Sequence, residues 1–217
     1  MKILGIAEEI QRAFGAGKAP ADNRFNDLDY VFQKIDEYSA KAISLSYTGA
    51  KTLGANTNIN SKTWLEFPLT LDPGLQEDGA CYVAFRCPEM IMIDANRTGF
   101  SFVGDKKTMR AFSEIQDPST FASLTTVFDD LDGIYFNMSK GIMRILGGRD
   151  INQAWVIGRP VSPRTLATAY YNPETDEYPL PDDLIPLMIS LLKAGEFQQE
   201  AATPVDNKVD ANPNLTK

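Results

Sequence analysis

Four groups of residues in this sequence are of types that could do chemistry. Gly15-Ala16-Gly17-Lys18 is the first, a glycine-rich pair before a lysine, the raw material of a phosphate cradle. A phosphate loop also needs a glycine five residues earlier, a hydroxyl after the lysine and a preceding strand. Here Arg12 and Ala19 occupy those positions and the preceding segment has helical spacing, so the glycines read as a helix end. The second group, Asp129, Asp130 and Asp132 before Gly133, has the acidity of a calcium loop. Its first and last ligands would be Phe128 and Ser139, which breaks the pattern, and a turn between strands explains the acids.

Paired carboxylates can divide acid and base roles in glycoside hydrolysis. The available pairs are Asp129 with Asp130, Asp182 with Asp183, and Glu174 with Asp176. Each has a local role as a turn or helix-start group. The fourth group is Cys81 and Cys87, at an even separation within CYVAFRC. On a strand both point to one face, about 20 Å apart along extended chain, too far for a disulfide. Two thiols are too few for a zinc site, and they read as buried free cysteines of a reducing compartment.

The sequence contains no histidine. Cys–His and Ser–His nucleophiles, and the metal and acid–base designs that rest on imidazole, go with it. The expectation is a chain that is not an enzyme, with no catalytic, cofactor-binding or metal-binding residues and no cofactor. A formal charge of −8 opposes gripping nucleic acid, because neutralising phosphates takes clustered Lys and Arg. An acidic wall would still let DNA slide past. No run of about 18 apolar residues spans a membrane. The opening residues lack the uninterrupted apolar core of a secretory signal.

The elements that would position these residues follow from periodicity. Ile3, Ile6, Ala7, Ile10 and Phe14 predict a helix over 3–14. Leu28, Val31, Phe32, Ile35, Tyr38, Ala42 and Leu45 predict a second over 27–47, capped by Asn26. Residues 49–62 read as an exposed loop. Seven short runs between 63 and 160 are rich in β-branched and aromatic residues and separated by Gly, Pro, Asn and Asp. They predict an antiparallel β module. TMRAFSEI, within 105–126, fits a strand or one helical turn. Trp64, Phe67, Tyr82, Phe85, Phe100 and Phe102 are alternate aromatics that read as core, or else as a stacking platform for sugars or bases. Tyr-Pro-Leu-Pro at 178–181 either docks a partner groove or leads into a helix. That closing helix starts near Pro181, complemented by Asp182 and Asp183, and buries Leu184, Leu187, Met188, Leu191 and Leu192.

The expected class is therefore α+β. Residues 1–62 and 178–198 form a small helical bundle, 63–160 an antiparallel β module, 161–177 an extended connection and 199–217 a flexible tail.

Both ends carry a resemblance. ADNRFNDLDYVFQKIDEYSAKAI at 21–43 is similar to the N-terminal segment of structural proteins of crAss-like and related short-tailed phages, where an Asp-x-Arg-aromatic opening leads into a helix. YPLPDDLIPLMISLLKAGEF at 178–197 is similar to their closing Tyr-Pro-x-Pro-Asp-Asp-Leu-Ile-Pro helix start. The chain departs from that pattern at Ser39-Ala40-Lys41-Ala42, where the family tends to an Arg-Ala pair, and beyond residue 198 it has no counterpart. The resemblance implies a virion protein made in the host cytoplasm. It would be a ring subunit or head–tail adaptor of the neck and tail, self-associated as a dodecameric ring beneath the portal. Its partners would be itself, the portal and other neck and tail proteins, with DNA passing through the lumen without sequence-specific contact. The competing expectation is a non-enzymatic binding or head-decoration module that uses the β strands.

Overall fold

The computed structural model describes residues 1–15, 27–55, 57–76, 80–95, 97–127, 133–147 and 151–202. The fold is α+β, as the sequence pattern requires.

Helix α1, Ile3–Gly15, buries Ile3, Ile6, Ala7 and Ile10, one stripe at helical spacing. Helix α2, Leu28–Thr52, is capped by Asp27, whose carboxylate accepts from Asp29 N at 3.0 Å; the cap is thus Asp27, and Asn26 lies outside the described residues. The helix runs five residues past its expected end at 47. Thr48 and Thr52 turn their hydroxyls back onto the Ser44 and Thr48 carbonyls at 2.8 and 2.9 Å, and Lys51 pairs with Asp94 at 2.9 Å. Its buried face is Val31, Ile35, Tyr38, Ala42 and Ile43, narrower than the expected stripe, and the end residues Leu28 and Leu45 are exposed.

Helix α4, Ile185–Ala202, follows a 3₁₀ turn at Asp182–Leu184. Its fully buried line is Ile185, Met188 and Leu192, with Leu184, Leu187 and Leu191 half-buried beside it. The helix passes the boundary at 198, so 199–202 are helical and not tail; residues 203–217 lie outside the described residues. The helices of the two chain ends share one core.

All seven predicted runs form strands: β1 Leu65–Thr70, β2 Tyr82–Arg86, β3 Met92–Asp94, β5 Phe100–Asp105, β8 Tyr135–Ser139, β9 Ile142–Leu146 and β10 Gln153–Gly158. Three short strands join them, β4 Arg97–Thr98, β6 Arg110–Ala111 and β7 Ser113–Glu114, the last two resolving the ambiguous TMRAFSEI as strand. One sheet has the order β1-β10-β5-β6 and a second β2-β9-β8-β7. The module is not wholly antiparallel, because β7 pairs with β8 in parallel. Lys140 and Gly141, with φ of 50° and 74°, make the two-residue turn between β8 and β9, where left-handed backbone matches the twist of a hairpin.

The two sheets close on one core of Phe67, Phe85, Phe100, Phe136, Met143, Ile145 and Val156. Phe100 meets Phe136 edge-on at 5.7 Å. Phe112, between β6 and β7, stitches one side, with Phe112 N donating to Val103 O at 2.7 Å and Ser113 N to Ile134 O at 2.9 Å. A Leu71–Phe85 bridge stitches the other. Helix α3, Pro118–Val127, lies over β8 and is capped by Asp117, which accepts from the amides and hydroxyls of Ser119 and Thr120. The β3–β4 hairpin belongs with the helices. Ile91 and Ile93 enter the helical core, and Ser44 Oγ donates to Ile93 O at 2.8 Å.

Gly195 of α4 lies against the Tyr38 hydroxyl of α2, and a Cβ there would overlap it. The Tyr38 ring is buried and flanked by Lys34 and Lys41, so it cannot swing aside cheaply. Gly195→Ala should lower stability by about 1–3 kcal/mol in chemical denaturation. Adding Tyr38→Phe should recover part of the loss; no recovery would remove this contact as the cause.

Candidate functional site

The most concentrated chemistry in the described residues is a buried polar node where three parts of the chain meet. The inner face of α2 presents Asp36 and Ser39, three residues apart and so one turn apart. The exit of β10 presents Arg159, whose backbone is pinned on both sides: Arg159 N donates to Gly99 O at 2.8 Å and Ile91 N to Arg159 O at 3.0 Å. The extended segment after β10 presents Ser162, Arg164, Tyr171 and Tyr178.

Arg159 has no exposed surface. Its Nη2 donates to Ser39 Oγ and to Tyr178 Oη, each at 3.0 Å, and its Nη1 to Pro160 O at 2.6 Å. The guanidinium lies 5.1 Å from the Tyr178 ring centre. Tyr178 Oη donates to Asp36 Oδ1 at 2.9 Å. Asp36 Oδ2 accepts from Ser162 Oγ at 2.6 Å and from Arg164 Nε and Nη2 at 3.3 and 3.2 Å. The Asp36 carboxylate is thus held by a two-pronged arginine and two hydroxyls, and it balances a buried cation through one tyrosine. Burial pushes the Tyr171 hydroxyl up to about 12, with Arg159 opposing the shift, and raises Tyr178 as well. Among the described residues, Arg159 Nε and Tyr171 Oη are two of the three buried side-chain atoms without a hydrogen-bond partner; Thr63 Oγ1 is the third.

This arrangement ties segments together and offers no open face to a substrate. The sequence-predicted groups lie elsewhere and do not converge. Gly15 ends α1, while Ala16 to Ala19 and Phe128 to Asp132 fall outside the described residues. Asp182 bonds the Met1 amine at 3.3 Å and Lys62 at 3.2 Å, and Lys62 also reaches Glu177 at 2.9 Å. Asp183 lines a cavity of about 130 Å³ with Ile43, Ala50, Ile59, Pro181 and Leu184. Glu174 and Asp176 sit in an exposed turn, where Asp176 Oδ2 accepts from Asn172 N at 2.8 Å.

Cys81 and Cys87 flank β2 and are both free thiols; burial pushes Cys87 up to about 12. Phe67, Phe85 and Phe100 are buried, and Trp64, Tyr82 and Phe102 half-buried. Tyr82 packs on Phe121 at 6.4 Å and under Arg144 at 5.6 Å. Tyr178 to Pro181 are buried in their own chain, so this segment is not a surface ligand for a partner groove. Among the described residues, no three His, Cys, Asp or Glu side chains gather as a metal-holding group. No described helix is long and apolar enough to cross a membrane.

The node itself is scarcely visible in the sequence. Its one signal is that Asp36 and Ser39 interrupt the apolar face of α2 at positions helical spacing turns inward. Compared with known protein families and with curated proteins, the chain matches no family model and no curated relative.

Two outcomes follow from the node. Asp36→Ala removes the acceptor of four donors and leaves Arg159 uncompensated. It should cost about 3–5 kcal/mol, whereas Arg164→Ala, at the wetter rim, should cost less than about 1 kcal/mol by the same denaturation assay. Equal costs would mean that Asp36 is not the counter-charge. The alkaline limb is the second. Tyr171 and Cys87 keep their protons in the folded state to about 12, against ordinary values of 10.0 and 9.0. Their contribution is therefore complete below about pH 9 and lost as pH rises through about 12. Tyr171→Phe should remove the part of the loss above pH 10; an unchanged profile would exclude Tyr171 from it.

Proposed function

We propose that the chain is a non-enzymatic structural subunit of a bacteriophage virion, a homo-oligomeric ring of the neck or tail, dodecameric, through which DNA passes. The observation that carries this reading is the meeting of the two resembling segments. Residue 178 of the closing segment bonds Asp36 and touches Ser39 of the opening one, the two hydroxyls lying 2.9 Å apart. The likeness at the two chain ends therefore falls on one packed unit rather than on two unrelated stretches. The node gives that unit rigidity, and a rigid scaffold with an outlying β module suits a subunit that holds neighbours in register. A net charge of −8 suits a lumen that lets phosphates slide. The portal and other neck and tail proteins are the expected neighbours, and the virion the expected location. The decoration-module alternative draws little from the aromatics, since Phe67, Phe85 and Phe100 are spent in the core.

The deciding measurement is cryo-electron microscopy of purified particles, with the chain quantified by mass spectrometry. The expected result is a fixed high copy number and a ring density that accepts this fold. A strictly monomeric protein absent from particles would overturn the reading.

A further inference from the structure

The turn between β5 and β6 gathers positive charge in an acidic chain. Residues 105–110, DKKTMR, hold three cations and one acid, a net charge of +2 where the whole chain carries −8. Residues 106–111 are exposed without a break, next to buried Val103 and Gly104. The turn is held in shape. Asp105 accepts from Lys107 N at 2.9 Å and from Thr108 Oγ1 at 2.8 Å, bonds that keep its carboxyl below its usual range. Gly104 pairs with Ala111, and a Cβ on Gly104 would overlap the Arg110 carbonyl oxygen and the Phe102 ring, so the two strands close tightly.

This charge is not spent on ion pairs, as it is elsewhere. Arg12, Lys34, Lys41, Lys51, Lys62 and Arg86 each meet a carboxylate at 2.6–3.5 Å. Within the described residues, Lys106 and Lys107 make no such pair. The Lys106 ammonium lies 3.6 Å from the centre of the Trp155 ring, which positions its charge without neutralising it. Lys107 gives its backbone amide, not its ammonium, to Asp105.

The residue types select the partner. Lysine is depleted in protein–protein interfaces, because its hydrated ammonium and long stem are costly to bury. It meets phosphate as a point charge, indifferent to base sequence. An exposed, stiff turn with unmatched lysines therefore suits a polyanion that is touched at its surface more than a protein face that would have to desolvate it.

We infer that the 106–110 turn is where each copy of this chain meets the phosphate backbone of duplex DNA, through Lys106, Lys107 and Arg110. The inference rests on the ring reading for its setting and names the element of the subunit that touches the DNA. Two or three phosphate contacts make a weak site, since each contributes a slope of only about 0.9 in the logarithm of affinity against salt. Copies arranged around one duplex add their contacts, while the acid elsewhere in the chain repels phosphate and keeps the hold loose. Such a contact centres DNA without gripping it.

The test is binding of the full chain to a fluorescent duplex over a range of salt, with sedimentation to follow assembly and circular dichroism to confirm folding. Wild-type protein should bind at low salt and release as salt rises. Lys107→Gln with Arg110→Gln should weaken binding by at least about tenfold and flatten its salt dependence, with assembly unchanged. Lys140→Gln removes one charge at a different exposed hairpin turn and should leave binding as it is. Wild-type protein that does not bind at low salt overturns the inference. So does an equal loss in Lys140→Gln, which would make net charge the cause. Tighter binding to phosphatidylglycerol vesicles than to the duplex overturns it in favour of a lipid phosphate, and loss of assembly in the double variant overturns it in favour of an acidic protein face. Rings that bind DNA regardless of these substitutions overturn the turn's role and leave the ring reading standing. A monomeric chain absent from particles that still binds DNA through Lys107 and Arg110 supports the contact and overturns the ring reading.

Discussion

The rest of the fold depends on one buried cation. Arg159 has been taken wholly out of water, and a guanidinium in that position costs several kcal/mol unless its charge and its donors are met. No single element meets them. Asp36 and Ser39 come from α2, Tyr178 comes from the segment before α4, and the Pro160 carbonyl comes from the chain's own exit from β10. Three separate stretches must arrive in register before the cost is offset. That requirement is stricter than hydrophobic packing, which tolerates small slips between apolar faces. It also explains how Tyr171 and residues 178–181 can be buried without belonging to a helix or sheet. Tyr178 finds partners in the node through its hydroxyl and at the chain start through its backbone, where Tyr178 N donates to Met1 O at 2.9 Å.

Because Arg159 is the residue after β10, the same node aims the β module. The backbone of Arg159 bonds Gly99 on one side and Ile91 on the other, and Gly99 N donates to Ile91 O at 2.7 Å. The start of β5, the end of β10 and the lead into β3 are fastened at one point, and β3 carries Ile91 and Ile93 into the helical core. The two cores are therefore not independent. Leu65 and Leu166 pack against both, and a shift of α2 relative to β10 would disturb each of them.

What could be seen in the sequence was what local periodicity dictates. The stripe Val31, Ile35, Tyr38, Ala42 predicts α2 because no other conformation puts those residues on one side. The seven strand runs are visible because branched and aromatic residues cluster between turn formers. Helix α3 escaped because PSTFASLTTV is polar and β-branched, with Phe121 its buried anchor among the side chains described, and its start is set by Asp117 reaching Ser119 and Thr120. The parallel β7–β8 pair escaped because two residues carry no pattern. The node escaped for a deeper reason: Arg159 and Tyr178 look like ordinary surface and turn residues until the long-range contact between positions 36, 159 and 178 exists. The absent histidine narrows chemistry, but it says nothing about where the polar residues that are present will gather.

The same geometry restricts how copies of this chain can meet. An open sheet edge is the easiest docking surface a β module offers, because its unpaired amides will accept another strand. Here the edges are withheld. β6 and β7 are two residues long and joined through Phe112. β1 and β2 face one another across the Leu71–Phe85 bridge, where Leu71 N turns to Asn152 O and Asp72 N to Ala84 O. On β1 the amide positions of Asp72's parity point away from β10, and one of them is Pro68, which has no N–H to give. Edges this short or this occupied disfavour strand addition. A contact between copies of this chain would then fall to side chains at hairpin tips and helix ends, where specificity comes from shape and charge rather than from backbone that any extended peptide could satisfy.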